Sequence, residues 1–486
     1  AVASPAAVVP RGLAYTRRHF GWRPTAARNG VGFYAVRWER RGSAVSGSPP
    51  PPRARDGCVC LCAAPGRVGA AMQRALAGFA PTTTTTITAS ELRRLPGAAA
   101  GCRALVWVAA RSALGSPDPA QLTLVVRLSR WLVGSRRPPA LLILTPDAMG
   151  RGSATATAPL SCLWAMLRVL RLEQPRLRAT CANAVGNLGP AAARSLAAEL
   201  HVAAAVADAA PEPEVSWRAN ARHVPRLRGV CETSRRSAPL LQLPPQAGCF
   251  VTGGLGGLGL VGAGLLVRLG AAGLVLTSRR GQVAPENSVR LRALQRAVRV
   301  RAFACDAGEP TELRGALRAS HGAGDVLCGV LHAAGVADKG LVQQLALTRV
   351  LDVARPKARG AWALHKVAAM EALDFSVGFS SVAAALGNPG QAAYAMANAY
   401  LDGLAAGSAA AGLPACSLQL PLVAGVGMGA AALSARQMAF RGMATARLDQ
   451  YVAGLATVIA CAPSGHVPLV LLPWARRRLL ACVSDE

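Results

Sequence analysis

A chain of 486 residues, 52% hydrophobic and with a mean hydropathy of +0.30, exceeds one ordinary core and is too apolar for global disorder, so two or three domains are expected. The formal net charge of +30 invites a nucleic-acid or anionic-membrane role. That role is set aside. Of the 54 basic residues only Lys339, Lys357 and Lys366 are lysines, and the arginines are spread along the chain with few dense blocks beyond Arg476-Arg477-Arg478. With abundant Ala, Gly and Pro, this reads as GC-rich coding bias, and no specific nucleic-acid partner is expected.

The 13 cysteines are odd in number and lie mostly in apolar segments, which suits buried thiols in a reducing compartment, cytoplasmic or organellar (a plastid included), and not secretion. Cys58, Cys60 and Cys62 alternate with Val and Leu as one face of a strand does, and no second Cys/His pair stands at zinc spacing, so no metal is expected. Three uncharged stretches, 237–267, 375–401 and 403–435, are long enough for membrane helices but broken by Gly and Pro. They read as buried elements of an α/β core, with no spanning segment.

In chain order, residues 1–30 are a linker or leader. The first 38 residues hold several Arg and no Asp or Glu, which fits a transit peptide and an interdomain linker equally, and Pro49-Pro50-Pro51-Pro52 reads as extended chain. Residues 33–38 alternate as a strand. From Gly57 to about Leu227, short apolar strands (105–108, 141–144) alternate with helical stretches (165–172), the rhythm of a parallel α/β layer. The loop Pro65-Gly66-Arg67-Val68-Gly69 lacks the glycine spacing a dinucleotide needs, and Thr82 to Thr86 reads as an extended edge segment.

Pro244-Pro245 marks a boundary. A strand follows at 249–252, then a glycine-rich loop, a helix through Arg268, and a second strand at 274–277. Gly254, Gly256 and Gly259 fit GxGxxG, while Thr252, Gly253, Gly257 and Gly259 fit TGxxxGxG; Leu258 completes the loop. Glycines let a pyrophosphate approach the backbone, and the helix N-terminus presents free N–H groups to it. The second strand ends in Ser278, Arg279 and Arg280, where an NAD site would carry an acid for the ribose 2′-hydroxyl. Guanidinium groups pair instead with a 2′-phosphate, so the expected cofactor is NADPH. Asp306, after the strand at 300–305, is a candidate acceptor for the adenine amino group.

Carbonyl reduction needs a proton donor for the developing alkoxide and donors that hold the carbonyl oxygen. Tyr394, one of five tyrosines, needs a nearby cation to work near neutrality. The residue one helical turn on is Asn398, which supplies no charge.

The second half resembles the ketoreductase domains of modular polyketide synthases, in the short-chain dehydrogenase/reductase superfamily. The matching stretches are residues 252–259, His332-Ala333-Ala334-Gly335-Val336, 355–362, Ser380-Ser381 through Tyr394, Ala397-Asn398-Ala399 and 424–428, within about residues 247–430. In those domains lysine and asparagine have exchanged places relative to the superfamily's usual arrangement. The resemblance implies that Lys357 lowers the pKa of Tyr394 and orients the nicotinamide ribose. Tyr394 gives the proton, Ser381 donates to the substrate carbonyl, and Asn398 supports the Lys357 and water network. Ala333, Ala334 and Gly335 would lie along the cofactor. The implied reaction is hydride transfer from NADPH to C3 of a β-ketoacyl thioester. An acyl carrier protein would present it on phosphopantetheine, with neighbouring synthase domains in cis.

The resemblance extends to the first half and implies an α/β fold of two Rossmann-like subdomains. Residues 31–240 would form a truncated, noncatalytic structural one, and residues 241–486 a catalytic doubly wound parallel sheet ending in a closing strand at 467–476. Ala337-Asp338-Lys339 departs from the Leu-Asp-Asp motif of one stereochemical class, and Leu386 stands where the opposite class has Trp. Pro389 points to the first class, which gives the D-type hydroxyl. The segment 419–423 lacks the usual aromatic residues of the substrate side. A catalytically silent scaffold and a basic polyanion-binding protein are the alternative readings.

Overall fold

Short β-branched and aliphatic runs separated by helical stretches assemble here into one sheet with helices on its faces. The computed structural model describes residues 31–41, 59–63, 67–77, 82–85, 102–109, 119–146, 154–185, 189–205, 212–218, 221–229, 242–320, 326–427, 445–462 and 469–473. The expected leader or linker at 1–30, the proline run and Cys58 lie outside them.

The first half contains β1 (Val31–Arg40), β2 (Val59–Ala63), α1 (Arg67–Ala77), β3 (Thr82–Thr85), β4 (Ala104–Val108), α2 (Pro119–Gly134), β5 (Ala140–Pro146), α3 (Ala154–Glu173), β6 (Ala179–Val185), α4 (Pro190–Ala205), β7 (Glu214–Arg218) and β8 (Ala221–Gly229). The second half opens with β9 (Ala247–Thr252), α5 (Gly257–Arg268), β10 (Gly273–Ser278), α6 (Ser288–Ala297), β11 (Arg299–Ala304), α7 (Pro310–Ser320) and β12 (Val326–His332). After these come α8 (Leu347–Ala354), a π-helical turn (Arg355–Arg359), α9 (Gly360–Ala368), β13 (Phe375–Ser381), α10 (Val382–Leu386), α11 (Ala392–Ala410), β14 (Ala415–Leu420), α12 (Leu448–Cys461) and β15 (Leu469–Pro473).

Strand order across the sheet is β11-β10-β9-β12-β13-β14-β15-β1-β8-β7-β6-β5-β4-β2-β3. From β11 to β14 the strands are parallel, and the order reverses between β9 and β12, as in a dinucleotide-binding doubly wound sheet. Ligands bind such sheets in the crevice beyond the C-terminal strand ends at that reversal. The threonine run forms β3 at the far edge, as its low complexity suggested. The first strand, β1, pairs antiparallel with β8 on one side and with β15 on the other, so the start of the described chain joins the two halves beside its end.

The largest core does not respect the midpoint of the sequence. Trp164, Leu163 and Leu167 of α3 share it with Met396, Tyr400 and Leu404 of α11. The two helices cross closely: a Cβ on Gly403 would come within 2.5 Å of Ser161 Oγ and 2.9 Å of the Ala158 Cα. Only small residues permit that approach, and it seats α11, which carries Tyr394 and Asn398, against the first half. Among the described residues no helix is long and apolar enough to cross a membrane. Cys60, Cys162, Cys181 and Cys249 are buried thiols, as expected for apolar strands and helices.

Candidate active site

The glycine loop is built where the sequence placed it. Gly253 has φ +66°, a left-handed conformation that favours glycine, and a Cβ there would lie 2.8 Å from the Ala334 nitrogen. A Cβ on Gly259 would fall 2.3 Å from the Gly253 carbonyl oxygen, so the first turn of α5 can close under the loop only without one. Gly256 caps α5 with no side-chain hydrogen bond, leaving the N-terminal N–H groups of that helix for an anion. Ala333 N donates to Thr252 O at 3.0 Å, which brings Ala333, Ala334 and Gly335 alongside the loop.

At the end of β10, Arg279 and Arg280 are exposed, and the buried Ser278 Oγ has no hydrogen-bond partner. An orphaned hydroxyl between a glycine cradle and two free-standing guanidinium groups fits a phosphorylated ribose. Asp306 is partly committed: its Oδ1 accepts from Gly308 N at 2.8 Å, and Oδ2 lies 3.6 Å from Arg355.

Lys357 sits in the π-turn between α8 and α9, a backbone irregularity often found at functional sites. Its side chain is 3% exposed, and Nζ donates to the Phe379 carbonyl of β13 at 2.7 Å. Burial draws its pKa down to about 8, with the Asp402 carboxylate pulling the other way. Gly335 has a reason the sequence did not supply: a Cβ there would lie 2.7 Å from Lys357 Cε, so its absence makes room for the lysine.

Ser381 ends β13 and caps α10, its Oγ accepting from Ala383 N at 3.2 Å. One lone pair is thereby taken and the hydroxyl proton is left to donate. Burial raises the pKa of Tyr394, opposed by side-chain hydrogen bonds from Ser381 and Asn398. Asn398 Nδ2 donates to the Tyr394 carbonyl at 2.8 Å, while its Oδ1 is buried without a partner. The structure therefore brings Lys357, Ser381, Tyr394 and Asn398 together at the C-terminal ends of β12 and β13. In this state the lysine is held by Phe379 O, and the groups acting directly on the phenol are Ser381 and Asn398.

Three further residues complete the site. Asp402, on the helix face of Tyr394 and Asn398 at successive spacings of four, accepts from Ser417 Oγ at 2.5 Å and Gln419 Nε2 at 2.6 Å. That periodicity was visible in the sequence. His332 stands opposite Thr252 in the β9–β12 register, and its Nε2 is 3.0 Å from the Lys357 carbonyl. Since a carbonyl only accepts, Nε2 carries the proton, and the 2.6 Å contact at Nδ1 is a hydrogen bond donated by Thr252 Oγ1. Burial first, and then the Lys357 charge, draw the imidazole pKa down to about 4, so it stays neutral. Arg168 of α3 makes a two-pronged contact at 2.7 Å with the fully buried Glu214 and donates to Ala384 O at 2.6 Å, just beyond Ser381. No local signal announced that last contact, because 216 residues separate its ends.

Comparison with known proteins places the fold among its relatives. A family model described as KR domain matches residues 247–425. A phenolphthiocerol/phthiocerol polyketide synthase protein of Mycobacterium tuberculosis is 34% identical over 294 residues, 60% of this chain and 16% of that protein. The spectinabilin polyketide synthase system protein NorB of Streptomyces orinoci is 42% identical over 232 residues, 46% of this chain and 10% of its own length. The chain thus spans only a small part of these relatives. Among solved structures, an A1-type ketoreductase is 27% identical with a TM-score of 0.77, covering 93% of this chain and 95% of its own. An A-type ketoreductase from a modular polyketide synthase is 28% identical with a TM-score of 0.76, covering 91% and 93%. This chain contains a ketoreductase domain of the kind found in modular polyketide synthases.

Proposed function

We propose that the chain is an NADPH-dependent reductase that converts a carrier-bound β-ketoacyl thioester to the β-hydroxyacyl thioester. The observation that carries this reading is the convergence of Lys357, Ser381, Tyr394 and Asn398 beside a glycine cradle at the strand-order reversal. Gly253, Gly254, Gly256, Gly257, Leu258 and Gly259 would hold the pyrophosphate, Thr252 the end of the strand, and Ser278, Arg279 and Arg280 the 2′-phosphate. Asp306 would meet the adenine, and Ala333, Ala334, Gly335, Lys357 and Tyr394 the ribose and nicotinamide. When bound, NADPH supplies the hydride that C3 of the substrate receives.

The residues of the chain do the rest. Ser381 Oγ directs its proton at the carbonyl oxygen, polarising it and fixing its distance from Tyr394. As negative charge develops on that oxygen, the Tyr394 hydroxyl passes its proton to it, and the phenolate is left beside Ser381 and Asn398. The Lys357 ammonium, with its pKa near 8, is charged at neutral pH and stabilises that phenolate. Asn398 Oδ1, without a protein partner, is an acceptor for a water that returns the proton. Residues 31–240 act as the noncatalytic brace of the catalytic residues 241–486. The substrate partner is an acyl carrier protein bearing a phosphopantetheine thioester, and neighbouring synthase domains lie in cis. The setting is a reducing compartment, cytoplasmic or organellar, which the buried thiols support.

The test is NADPH oxidation with a short β-ketoacyl thioester, with an NADH control and the variant Tyr394→Phe. Turnover should require NADPH and fall at least about 100-fold in the variant while NADPH binding persists. Binding of NADPH by the wild type with no turnover of free or carrier-bound thioester would support the silent scaffold instead.

A further inference from the structure

The loops that flank Tyr394 are held from outside the catalytic half. One, at residues 333–342, leaves the C-terminal end of β12; the other, at 387–391, lies between α10 and α11. They meet each other through Gly340 N, which donates to Gly390 O at 2.8 Å, and through the bridge between Gly340 and Gln391. Both are also gripped by the last turn of α3, from the first half. Glu173 Oε2 accepts from Val342 N at 2.7 Å and Oε1 from Gly390 N at 2.8 Å. The backbone at Gly387 lies so close to the C-terminal part of the same helix that a Cβ there would be 2.9 Å from Leu172 Cδ1 and 3.0 Å from the Arg168 carbonyl carbon. Arg349 adds a tie within the first loop, donating to Asp338 and to the Lys339 carbonyl.

These contacts make a clamp with one carboxylate at its centre. Each oxygen of Glu173 takes an amide proton from a different loop, and charge-assisted bonds of that kind are stronger and more directional than neutral ones. Val342 and Gly390 lie 169 and 217 residues away in sequence, so no local structure substitutes for the carboxylate if it is removed. Tyr394 follows Gly390 by one helical turn, and Ser381 precedes the same loop. A shift of the second loop and of the far part of the first, from 336 to 342, therefore moves the backbone beside the two hydroxyls, while Ala333 at the near end stays tied to Thr252 O beside the glycine cradle.

We infer that Glu173 is a positioning residue of the reductase, setting the separation of the two loops that orient the acyl thioester over Tyr394 and Ser381. The inference rests on the proposed reaction and deepens it, because it assigns substrate orientation to a residue of the noncatalytic half.

The experiment compares wild type, Glu173→Ala and Glu173→Gln with NADPH and a short β-ketoacyl thioester. It reads KM and kcat, NADPH affinity by fluorescence, the ratio of the two hydroxyl stereoisomers, and amide hydrogen exchange without substrate. Loss of both bonds loosens the backbone that holds the thioester in ground and transition state alike, so its KM should rise about tenfold with NADPH affinity unchanged. The minor stereoisomer should increase, and exchange at Val342 and Gly390 should accelerate. Glu173→Gln keeps one acceptor oxygen and should fall between, and it decides the matter if the alanine variant does not fold. Thioester KM and isomer ratio equal to wild type in both variants would overturn the inference, as would a loss confined to kcat or to thermal stability. A wild type without turnover defeats the proposed reaction instead. Unchanged exchange at the two amides in the glutamine variant then overturns the clamp, and faster exchange confined to them upholds it.

Discussion

Replacing Lys357 by Met should make the protein more stable and inactive. Burial lowers the lysine pKa from 10.5 to about 8, despite the opposing Asp402 carboxylate. At about 1.4 kcal/mol per pH unit, that gap corresponds to roughly 3 kcal/mol by which the fold disfavours the ammonium at neutral pH. Methionine fills the same space without charge but leaves Phe379 O, the acceptor at 2.7 Å, unpaired, at a cost of about 1 kcal/mol. A net gain of roughly 2 kcal/mol remains, or several degrees in melting temperature. The pH dependence identifies the cause. Below about pH 8 the lysine is charged in both folded and unfolded chains, and the whole penalty is present. Between about 8 and 10.5 the unfolded chain binds more protons than the folded one, so wild-type stability rises with pH and the advantage of the variant fades. Melting curves of both proteins at pH 7, 9 and roughly 10.5, with turnover at pH 7, are the assay. A variant that melts lower at pH 7, or an advantage constant across this range, would refute the reasoning.

Two further outcomes follow from the charges. Arg279→Glu together with Arg280→Glu should weaken NADPH binding by at least about tenfold and leave NADH binding nearly unchanged, since only the 2′-phosphate distinguishes them; titration of cofactor fluorescence measures both. Glu214→Gln should destabilise the protein by about 3–5 kcal/mol, because it strands the buried Arg168 and Arg171 charges, and should slow reduction through the Ala384 contact. Although burial opposes it, the two guanidinium groups hold the Glu214 pKa below its usual 4.5, so its contribution is present above that pH and lost on acidification. Thermal unfolding of wild type and variant at neutral and acid pH checks both sign and size.

The parts of this site that are local in sequence were legible before any coordinates. A cradle for phosphate is a run of backbone, so the glycines from Gly253 to Gly259 and the helix after them announce it by spacing alone. The proton donor and the asparagine one turn later are also local, because a helix repeats every 3.6 residues, and the same rule points on to Asp402. The assignment of Lys357 came from resemblance, since nothing in residues 355–362 reveals that a π-turn buries the ammonium against Phe379 O. The reason for Gly335, the fixed tautomer of His332 and the placement of β1 between β8 and β15 were out of reach for the same cause. Each is a contact between segments whose separation along the chain carries no periodic signal. Most distant from sequence reasoning is the grip of α3 on the catalytic loops through Arg168 and Glu173. Helix α3 reads as an apolar helix with a few arginines, and only its packing against α11 turns those polar ends toward the site. Local chemistry is written in spacing; the geometry that aims it belongs to the packed core, where each buried polar group must find a partner wherever the fold brings one.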